Sequence, residues 1–515
     1  MTPQSSDRSE SLDFTEEYQK EKANLQKHFG RREILFFTIC TLVGVDTLGS
    51  IAFFGPQAFS WLVILAITFF IPSALLFAEL GTAFPEEGGP YLWARLAFGR
   101  LTASINNFFY WVTNPVWFGG TLTVVALTAI ETFFLGGASL SSTWFYLLGF
   151  AFIWVGTFAS ILSFKVGKWV PILGAFARFI LLGIFSLTII MYASKFGIHG
   201  PTLGSFKVTW PCFVAIAGLI LFNYVGFENP NSAGDEMKDS QRDVPYAVFR
   251  SAIAAILLYG IPILGIILVL PADKASSLEG FIDAIKETFT VFGRTVAEDG
   301  TVSLAGWGTV MGGFAAVLLV LCVLSSGVAW LMGSDRALAV SGYDGAAPRW
   351  LGVFSEKYGT PVRVNMLSGI LSSIIFVLAR VISEGNTAKY FTVVLGIAVS
   401  TTLMSYIAIF PALWKLRVSH PDVPRVYRAP FAKFLSVWLT LIVSFATVQL
   451  LAPGLGAGWF SGDYLPDGWE EAEKWKYMLT VSIPLAIFVL IGVIFWAVGK
   501  RNLRQKSTIY RFPFS

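Results

Sequence analysis

The chain has 515 residues, of which 55% are hydrophobic and only 14% are charged, and it contains 47 Phe and 17 Trp. A water-soluble core cannot accommodate so much apolar surface, which excludes an ordinary soluble globular protein and indicates a membrane protein. The net charge of +4 gives no indication of nucleic acid binding, because the basic residues are distributed as in a membrane topology. The three cysteines, Cys40, Cys212 and Cys322, lie in apolar segments. They predict neither disulfides nor a metal site, and no cofactor is expected.

Long apolar segments recur along the whole chain, and each matches the roughly 20 residues of a membrane-spanning helix. Twelve spans are predicted, near residues 34–55, 61–83, 103–130, 143–163, 170–193, 211–233, 247–270, 306–335, 364–383, 388–414, 435–454 and 477–498. These segments indicate an all-α membrane protein, in which each helix satisfies its own backbone within the lipid bilayer. In the connection 271–305, apolar residues recur at helical spacing and predict a further, external helix, either a lid or part of a plain surface loop.

Lys and Arg are distributed unequally between the two sides of these spans. If the N-terminus is inside, 27 of the 37 basic residues fall on the cytoplasmic side and nine on the other. Because cytoplasmic loops retain Lys and Arg, both termini are predicted to be cytoplasmic, in a plasma or inner membrane. Residues 1–32 then form a cytoplasmic arm, and 499–515 form a cytoplasmic tail.

Two spans are interrupted by glycine, proline and polar residues. The first reads GVDTLGS from Gly44 to Ser50, and the sixth reads FNYVGFENPN from Phe222 to Asn231. Broken helices at equivalent positions are typical of carriers built from two inverted repeats, with the binding site at the breaks. This spacing predicts inverted five-helix repeats at 33–193 and 211–414, followed by two helices in 434–498.

Four segments resemble, in order, the motifs of the amino acid-polyamine-organocation (APC) superfamily of transporters. They are AELGTAFPEEGGPYLW (Ala78 to Trp93), GFENPNSAGDEMKDSQRDVP (Gly226 to Pro245), DRALAVSGYDGAAPRWLGVFSEKYGTPVRVN (Asp335 to Asn365) and FPALWKLRVSHPDVPRVYRAPF (Phe410 to Phe431). The resemblance implies the LeuT-like APC fold, with broken helices 1 and 6. It also implies alternating access, with a substrate site between the first, third, sixth, eighth and tenth helices.

The first interruption departs from the pattern of many amino acid carriers in this superfamily. Those members have a Gly-Ser-Gly type turn whose amides receive the substrate carboxylate, whereas this chain reads Asp46-Thr47-Leu48-Gly49. An acid at this position resembles the glutamate/γ-aminobutyrate antiporter and plant-type polyamine uptake branches. The resemblance therefore implies a substrate that is recognised through its amine.

The candidate substrate-binding residues lie at the two interruptions and on the third span. A broken helix leaves free amides on one piece and free carbonyls on the other, which suits a zwitterion. The candidates are Gly44, Val45, Asp46, Thr47, Leu48, Gly49, Asn114, Trp117, Phe222, Asn223, Tyr224 and Gly226. A carboxylate inside a span is costly, so Asp46 is predicted to meet a substrate ammonium or a coupling proton, unless it only caps a helix end. Acids near span ends, Glu79 and Asp235–Glu236, are predicted to be solvated.

Arg178 is the only basic residue deep inside a predicted span. In sodium-coupled carriers of this fold, a cation lies between the first, fifth and eighth helices. The resemblance implies that Arg178 takes that place, near Ser325 and Ser326, so that coupling uses protons at Asp46 and not sodium. Because arginine stays charged, it would be a fixed surrogate cation and not the proton carrier. The alternative is that Arg178 snorkels towards the cytoplasm or pairs structurally with an acid.

The sequence therefore predicts a secondary active transporter of amino acids or related small amines, either an antiporter or a proton-coupled symporter. A polyamine uptake carrier is the first alternative, and a non-transporting amino acid sensor on the same fold is the second. An enzyme is not predicted, because no intramembrane metal-ligand spacing occurs and the three histidines, His28, His199 and His420, lie outside the spans.

Overall fold

The computed structural model describes residues 27, 29–162, 167–198, 200–269, 280–296, 298, 302–382, 387–454 and 469–509. Most of the predicted cytoplasmic arm, 1–32, and part of the predicted tail, 499–515, lie outside these residues. The described chain is helical almost throughout and contains one two-stranded hairpin.

The helices follow one another in chain order. They are α1 (Arg31–Leu42), α2 (Leu48–Phe53), α3 (Gly55–Leu65), α4 (Ile71–Ala83), α5 (Pro90–Trp117), α6 (Thr123–Phe134), α7 (Ser142–Ile161), α8 (Trp169–Phe196), α9 (Trp210–Asn223), α10 (Ser240–Val269), α11 (Gly280–Phe289), α12 (Trp307–Tyr343), α13 (Val362–Ile382), α14 (Thr387–Ser419), α15 (Ala432–Leu451) and α16 (Lys474–Ile509). Two π-helical turns, Ala66–Phe70 and Phe118–Leu122, join α3 to α4 and α5 to α6. Short 3-10 turns occur at Leu203–Ser205, Asn229–Glu236, Thr290–Phe292, Arg349–Leu351 and Glu471–Glu473. Strands β1 (Arg294–Val296) and β2 (Val302–Leu304) are antiparallel, with Arg294 opposite Leu304.

Ten helical stretches of the described chain are long and apolar enough to cross a membrane. They are Gly55–Ala83, Pro90–Phe134, Ser142–Ile161, Trp169–Phe196, Ser240–Val269, Trp307–Tyr343, Val362–Val381, Tyr390–Ser419, Ala432–Leu451 and Lys474–Asn502. Each overlaps one predicted span, as an all-α, multi-pass membrane protein requires. The helix predicted within 271–305 is confirmed as α11.

The first and sixth predicted spans take a different form. α1 ends at Leu42, and the helix resumes at Leu48 as α2. α9 ends at Asn223, and the chain then turns through 224–228 into the 3-10 segment Asn229–Glu236. With 12 and 14 residues, α1 and α9 are each shorter than the roughly 20 residues that cross a bilayer.

Close packing against α13 fixes the position of α5. Pro115 lies inside α5, and its carbonyl accepts a hydrogen bond from the Ser372 hydroxyl at 3.1 Å. Gly119, in the π-helical turn that follows, approaches α13 so closely that a Cβ there would lie 2.1 Å from the Ser372 carbonyl oxygen. Only glycine permits this contact, which holds the part of α5 that carries Asn114 and Trp117.

Large apolar side chains are exposed on the outer helices. Leu187 and Ile190 of α8 are 64% and 66% exposed, and Val155 and Phe158 of α7 are both 56% exposed. In contrast, buried residues run along most of α5 and α12. Exposed apolar side chains around buried helices are expected where lipid and not water surrounds the protein.

The four sequence motifs are joined to one another by ion pairs. Glu79 of the first motif is 0% exposed and pairs with Arg417 of the fourth. Arg336 of the third pairs with Glu87 of the first at 2.9 Å and with Glu236 of the second at 2.5 Å. The prediction that Glu79 and Glu236 are solvated is therefore wrong, because partners distant in sequence allow both carboxylates to be buried.

Candidate functional site

One tyrosine bonds the backbone where α1 ends. The hydroxyl of Tyr259, on α10, donates to the Leu42 carbonyl at 2.7 Å and accepts from the Gly44 amide at 2.7 Å. A broken helix leaves such carbonyls and amides without partners. Tyr259 thus satisfies the last carbonyl of α1 and an amide within the break.

Asp46 lies in this break and is 3% exposed. Its Oδ2 accepts a hydrogen bond from the Trp117 indole at 2.8 Å, whereas its Oδ1 has no partner among the described residues. The neighbouring Thr47 hydroxyl donates to the Gly44 carbonyl at 3.3 Å and to the Asn223 side-chain oxygen. The first break is therefore bonded to the end of α9, and a buried carboxylate oxygen remains free to accept a donor.

A small cavity lies beside these residues. Its volume is about 20 Å³, enough for a single water molecule. The lining residues come from α1, α5, α9, α10, α12, α14 and the breaks next to them: Thr41, Leu42, Gly44, Thr113, Asn114, Trp117, Phe222, Asn223, Val225, Tyr259, Trp330 and Thr402. The Phe222 ring packs edge-on against Trp117, with centroids 5.7 Å apart. The cavity is too small for an organic solute, which requires these side chains to move.

The second break is centred on Gly226, whose φ of +130° favours glycine. Its carbonyl accepts from the Thr41 hydroxyl at 3.1 Å, and its amide donates to Glu228 Oε2 at 3.2 Å. Glu228 is 0% exposed, and its Oε1 accepts from the Tyr110 hydroxyl at 3.2 Å. Glu228 thus satisfies a free amide of this break, as an acid does near a helix end.

Arg178 of α8 is 0% exposed and binds oxygen atoms from two other parts of the chain. Its Nε donates to the Val43 carbonyl at 2.7 Å, next to the first break. On α12, its terminal nitrogens donate to Ser325 Oγ at 3.0 Å, to the Cys322 carbonyl at 2.7 Å and to Ser326 Oγ. The guanidinium therefore ties the break to α8 and α12, where a positive charge faces carbonyl oxygens that a broken helix leaves free.

A family model for amino acid permeases matches residues 29–514. The chain belongs to the amino acid permease family. Over 410 residues the permease is 32% identical to an uncharacterized transporter of Legionella pneumophila, covering 77% of this chain and 83% of the relative. It is 24% identical over 484 residues to a probable agmatine/putrescine antiporter of Lactococcus lactis, covering 93% and 96%. It is 22% identical over 384 residues to a branched-chain amino acid permease of Bacillus subtilis, covering 70% and 73%.

These matches confirm the resemblance to the APC superfamily. They make the permease a transporter of amino acids or amines, and not an enzyme. The prediction of a small-molecule substrate is confirmed at this level, and the relatives differ in the solute that their names state. The site therefore has to be interpreted from its own side chains.

Some of the predicted substrate-binding residues lie at the cavity of the permease. The lining includes Gly44, Asn114, Trp117, Phe222 and Asn223, and Asp46 and Thr47 are bonded to lining residues. The remaining predicted residues are not among the lining residues in the described chain: Val45, Leu48, Gly49, Tyr224 and Gly226. Two of them have clear packing roles. A Cβ at Gly49 would lie 2.9 Å from the Phe281 nitrogen of α11, and the Tyr224 hydroxyl donates to the Leu62 carbonyl at 3.0 Å.

The sequence did not point to Tyr259, Trp330 or the three threonines of the lining, Thr41, Thr113 and Thr402. A tyrosine or tryptophan inside a span needs a partner for its polar atom, which is a usable but unspecific signal. Trp330, for example, donates to the Thr41 carbonyl at 3.0 Å. A threonine inside a helix is a weaker signal, because its hydroxyl often bonds the backbone of the preceding turn.

Proposed function

We propose that this permease is a secondary active transporter that carries a small amine-bearing solute by alternating access, with the ammonium group held at Asp46. The observation that carries the proposal is the free Oδ1 of this buried carboxylate. A buried carboxylate oxygen without a donor is costly, and a substrate ammonium supplies the missing hydrogen bonds and charge.

The proposed architecture has twelve spans in two inverted repeats, 33–193 and 211–414, with two further helices in 434–498 and both termini cytoplasmic. The interruptions after Leu42 and Asn223 support it, because helices broken at equivalent positions are typical of inverted repeats with a central site. The permease then lies in a plasma or inner membrane.

The chemistry of the lining favours a cation. No Lys or Arg occurs among the lining residues that the structure describes, and Trp117, Phe222 and Trp330 offer aromatic rings. An aromatic face stabilises a cation by about 0.5 to 2 kcal/mol. The Gly44 amide, which would serve a substrate carboxylate, is already bonded to Tyr259. These features suit an amino acid bound mainly through its amine, and they suit an amine without a carboxylate at least as well.

A polyamine carrier is therefore the second candidate. The name of the Lactococcus relative, a probable agmatine/putrescine antiporter, agrees with it. For either substrate we propose exchange or proton coupling without sodium, with Asp46 as the group that takes up the proton. The contacts of Arg178 with Val43, Ser325 and Ser326 support a fixed positive charge where a sodium ion would otherwise be needed.

The test combines binding and flux in the purified permease. Agmatine, putrescine, spermidine, γ-aminobutyrate, leucine and arginine are screened for a rise in melting temperature, and radiolabelled positives are tested for uptake into proteoliposomes. An amine-bearing compound is expected to bind and to be taken up. Asp46→Asn keeps the shape and removes the charge, so affinity is expected to fall by about tenfold or more, which corresponds to about 1.4 kcal/mol.

The matched control is Asp422→Asn, at an exposed position, which should bind and transport as the unmodified permease does. If Asp46→Asn also behaves like the unmodified protein, Asp46 has no role in substrate binding or proton uptake. Binding without uptake would point to the sensor alternative and would exclude the transport proposal.

A further inference from the structure

Five buried polar side chains have atoms that form no well-aligned hydrogen bond with the described residues. They are Asn106, Asn229, Asn231, Ser232 and Ser334, and each is at most 4% exposed. Neither amide atom of any of the three asparagines has a partner. An unpaired buried polar group costs about 1–3 kcal/mol, and native interiors contain few of them. These side chains therefore need a polar partner at some stage of the transport cycle.

On α5, a continuous face leads from the cavity to this group. Trp117, Asn114, Tyr110 and Asn106 are three or four residues apart and so lie on one side of the helix. The first two line the cavity, and the Tyr110 hydroxyl donates to Glu228 at 3.2 Å. The face thus runs from the cavity, past the acid of the second break, to an asparagine without a partner.

On α12, a second face leads in the same direction. Trp330 lines the cavity, and Ser334 follows one helical turn later. Next to it, Gly333 leaves room for Asn229, because a Cβ there would lie 2.2 Å from the Asn229 side-chain oxygen. The side chains of Asn229 and Ser232 both lie close to the hydroxyl of Tyr110.

The 3-10 segment Asn229–Glu236 connects this group to α4. A Cβ at Gly81 of α4 would lie 2.5 Å from the Asn231 side-chain oxygen. The carbonyl of Ser232 accepts from the Gly88 amide at 3.1 Å, in the loop that follows α4. Parts of α4, α5, α12 and the 3-10 segment thus surround one region of unpaired polar groups.

An ion-pair cluster closes the far end of this region. Arg336 is 1% exposed and binds Glu87 at 2.9 Å and Glu236 at 2.5 Å, and it donates to the Gly359 carbonyl at 3.1 Å. Glu87 also donates from its amide to Asp235 at 3.0 Å. The cluster joins the 3-10 segment to the α4–α5 loop and to the segment before α13.

We propose that Asn106, Asn229, Asn231, Ser232 and Ser334 form an inner passage between the Asp46 cavity and the cytoplasm, and that Arg336 with Glu87 and Glu236 is its plug. The proposal rests on the transport function and on the orientation proposed for the permease. In the passage, amide and hydroxyl groups hydrogen-bond the moving solute. Glu228, which borders its start, gives preference to a cation.

Thiol labelling tests the passage. Ser232→Cys and Ser334→Cys are made in a permease whose three native cysteines are replaced by alanine and which still takes up its solute. Inside-out vesicles receive a membrane-impermeant trimethylammonium-ethyl methanethiosulfonate or its sulfonatoethyl counterpart. Both cysteines are expected to react and to block uptake, with the cationic reagent faster by on the order of tenfold, which corresponds to about 1.4 kcal/mol.

The control is Ser251→Cys on α10, because Ser251 is equally buried at 0% exposure but bonds the Val248 carbonyl at 3.1 Å. It should stay unreactive. Arg336→Gln, which removes both ion pairs of the plug, is expected to speed labelling at both passage positions. The proposal is overturned if Ser232→Cys and Ser334→Cys remain as unreactive as the control with and without Arg336→Gln. Because the labelling rate is measured without the solute, this result is independent of the Asp46 test.

A pair of serine variants separates a passage from a structural role. Ser334 and Ser368 are both 0% exposed, but the Ser368 hydroxyl donates to Asp335 at 2.6 Å and accepts from Trp111 at 2.9 Å. Ser368→Ala is expected to lower the melting temperature. Ser334→Ala is expected to leave it unchanged or raise it, while slowing uptake. An equal fall in melting temperature for both variants would contradict the passage.

Discussion

Asp46 and Arg178 are both buried charged side chains, but their surroundings differ. The guanidinium of Arg178 makes four hydrogen bonds to carbonyl and hydroxyl oxygens. Asp46 receives one hydrogen bond, from Trp117, and its second oxygen is unpaired within the described chain. A buried charge with satisfied hydrogen bonds is held in place, whereas an unsatisfied one is costly until a partner arrives. We therefore expect a fixed role for Arg178 and an exchange role for Asp46.

Replacing Arg178 by methionine tests the fixed role. Arg178→Met removes the charge and leaves the carbonyls of Val43 and Cys322 without these donors. The expected cost is about 3 kcal/mol or more of folding stability, together with loss of uptake. In the unmodified permease, uptake is expected to be the same in sodium and in choline medium, because the guanidinium already supplies the positive charge.

Proteoliposome uptake and thermal unfolding measure these two effects. Arg242→Met is the control, because the Arg242 side chain is 78% exposed and its loss should change stability by no more than about 0.5 kcal/mol. Uptake that disappears when choline replaces sodium would contradict the proposed role of Arg178.

At the scale of the helices, the main question is how the first break is held in one shape. Tyr259 contributes a single hydroxyl that bonds the last carbonyl of α1 and the Gly44 amide within the gap. Losing it leaves a buried carbonyl and a buried amide unpaired, and each costs about 1–3 kcal/mol. Because the gap carries Asp46, a loosened gap should also weaken substrate binding.

We therefore predict that Tyr259→Phe destabilises the permease by about 2 kcal/mol or more and lowers uptake. Tyr390→Phe is the matched control: Tyr390 is also buried, at 1% exposure, but its hydroxyl has no partner among the described residues. Removing that hydroxyl should be neutral or slightly stabilising. Thermal unfolding measures the stability of both variants. Equal melting temperatures would show that the hydrogen bonds of Tyr259 contribute nothing to stability.

The sequence predicted the helices well because lipid imposes a strong local rule. Spans need long apolar segments, which can be seen within short windows. The partners of the site could not be seen in this way. Tyr259 bonds Leu42 across 217 positions, and Glu79 accepts from the amide of Ala429 across 350 positions. Such pairings depend on the tertiary fold, which explains why Tyr259 was missed and Glu79 was wrongly predicted to be solvated.

At the scale of the whole molecule, ion pairs between the four sequence motifs hold separate helices together. Glu79 binds Arg417 and Arg425, which ties α4 to the end of α14 and the segment after it. Asp344 binds Arg95 at 3.2 Å and Arg100 at 3.2 Å, which ties α5 to the end of α12. Buried ion pairs add little net stability. We infer that they define one closed arrangement of these helices, with the Arg336 plug as the part nearest the proposed passage.

The pH dependence of this closed arrangement gives a test of the plug. Burial raises the pKa of Glu87 to about 8, with Arg336 opposing the rise and Glu236 and Asp235 adding to it. The closed form therefore binds the proton more tightly than an unfolded chain, in which the pKa is near 4.3. The contribution of this proton to folding stability is complete below that value and is lost as the pH rises to about 8. We predict that the melting temperature falls across this range.

Glu87→Gln removes this titration and leaves that of Glu236, whose pKa burial also raises, so its melting temperature should fall less steeply between about pH 5 and 8. Glu356→Gln, at an exposed position, is the control and should retain the slope of the unmodified permease. Thermal unfolding at half-unit pH steps measures all three proteins. If Glu87→Gln keeps the full slope, the proton is not held in the plug. If the slope is reduced, the proton is held at Glu87, where it neutralises a carboxylate that must otherwise share Arg336 with Glu236.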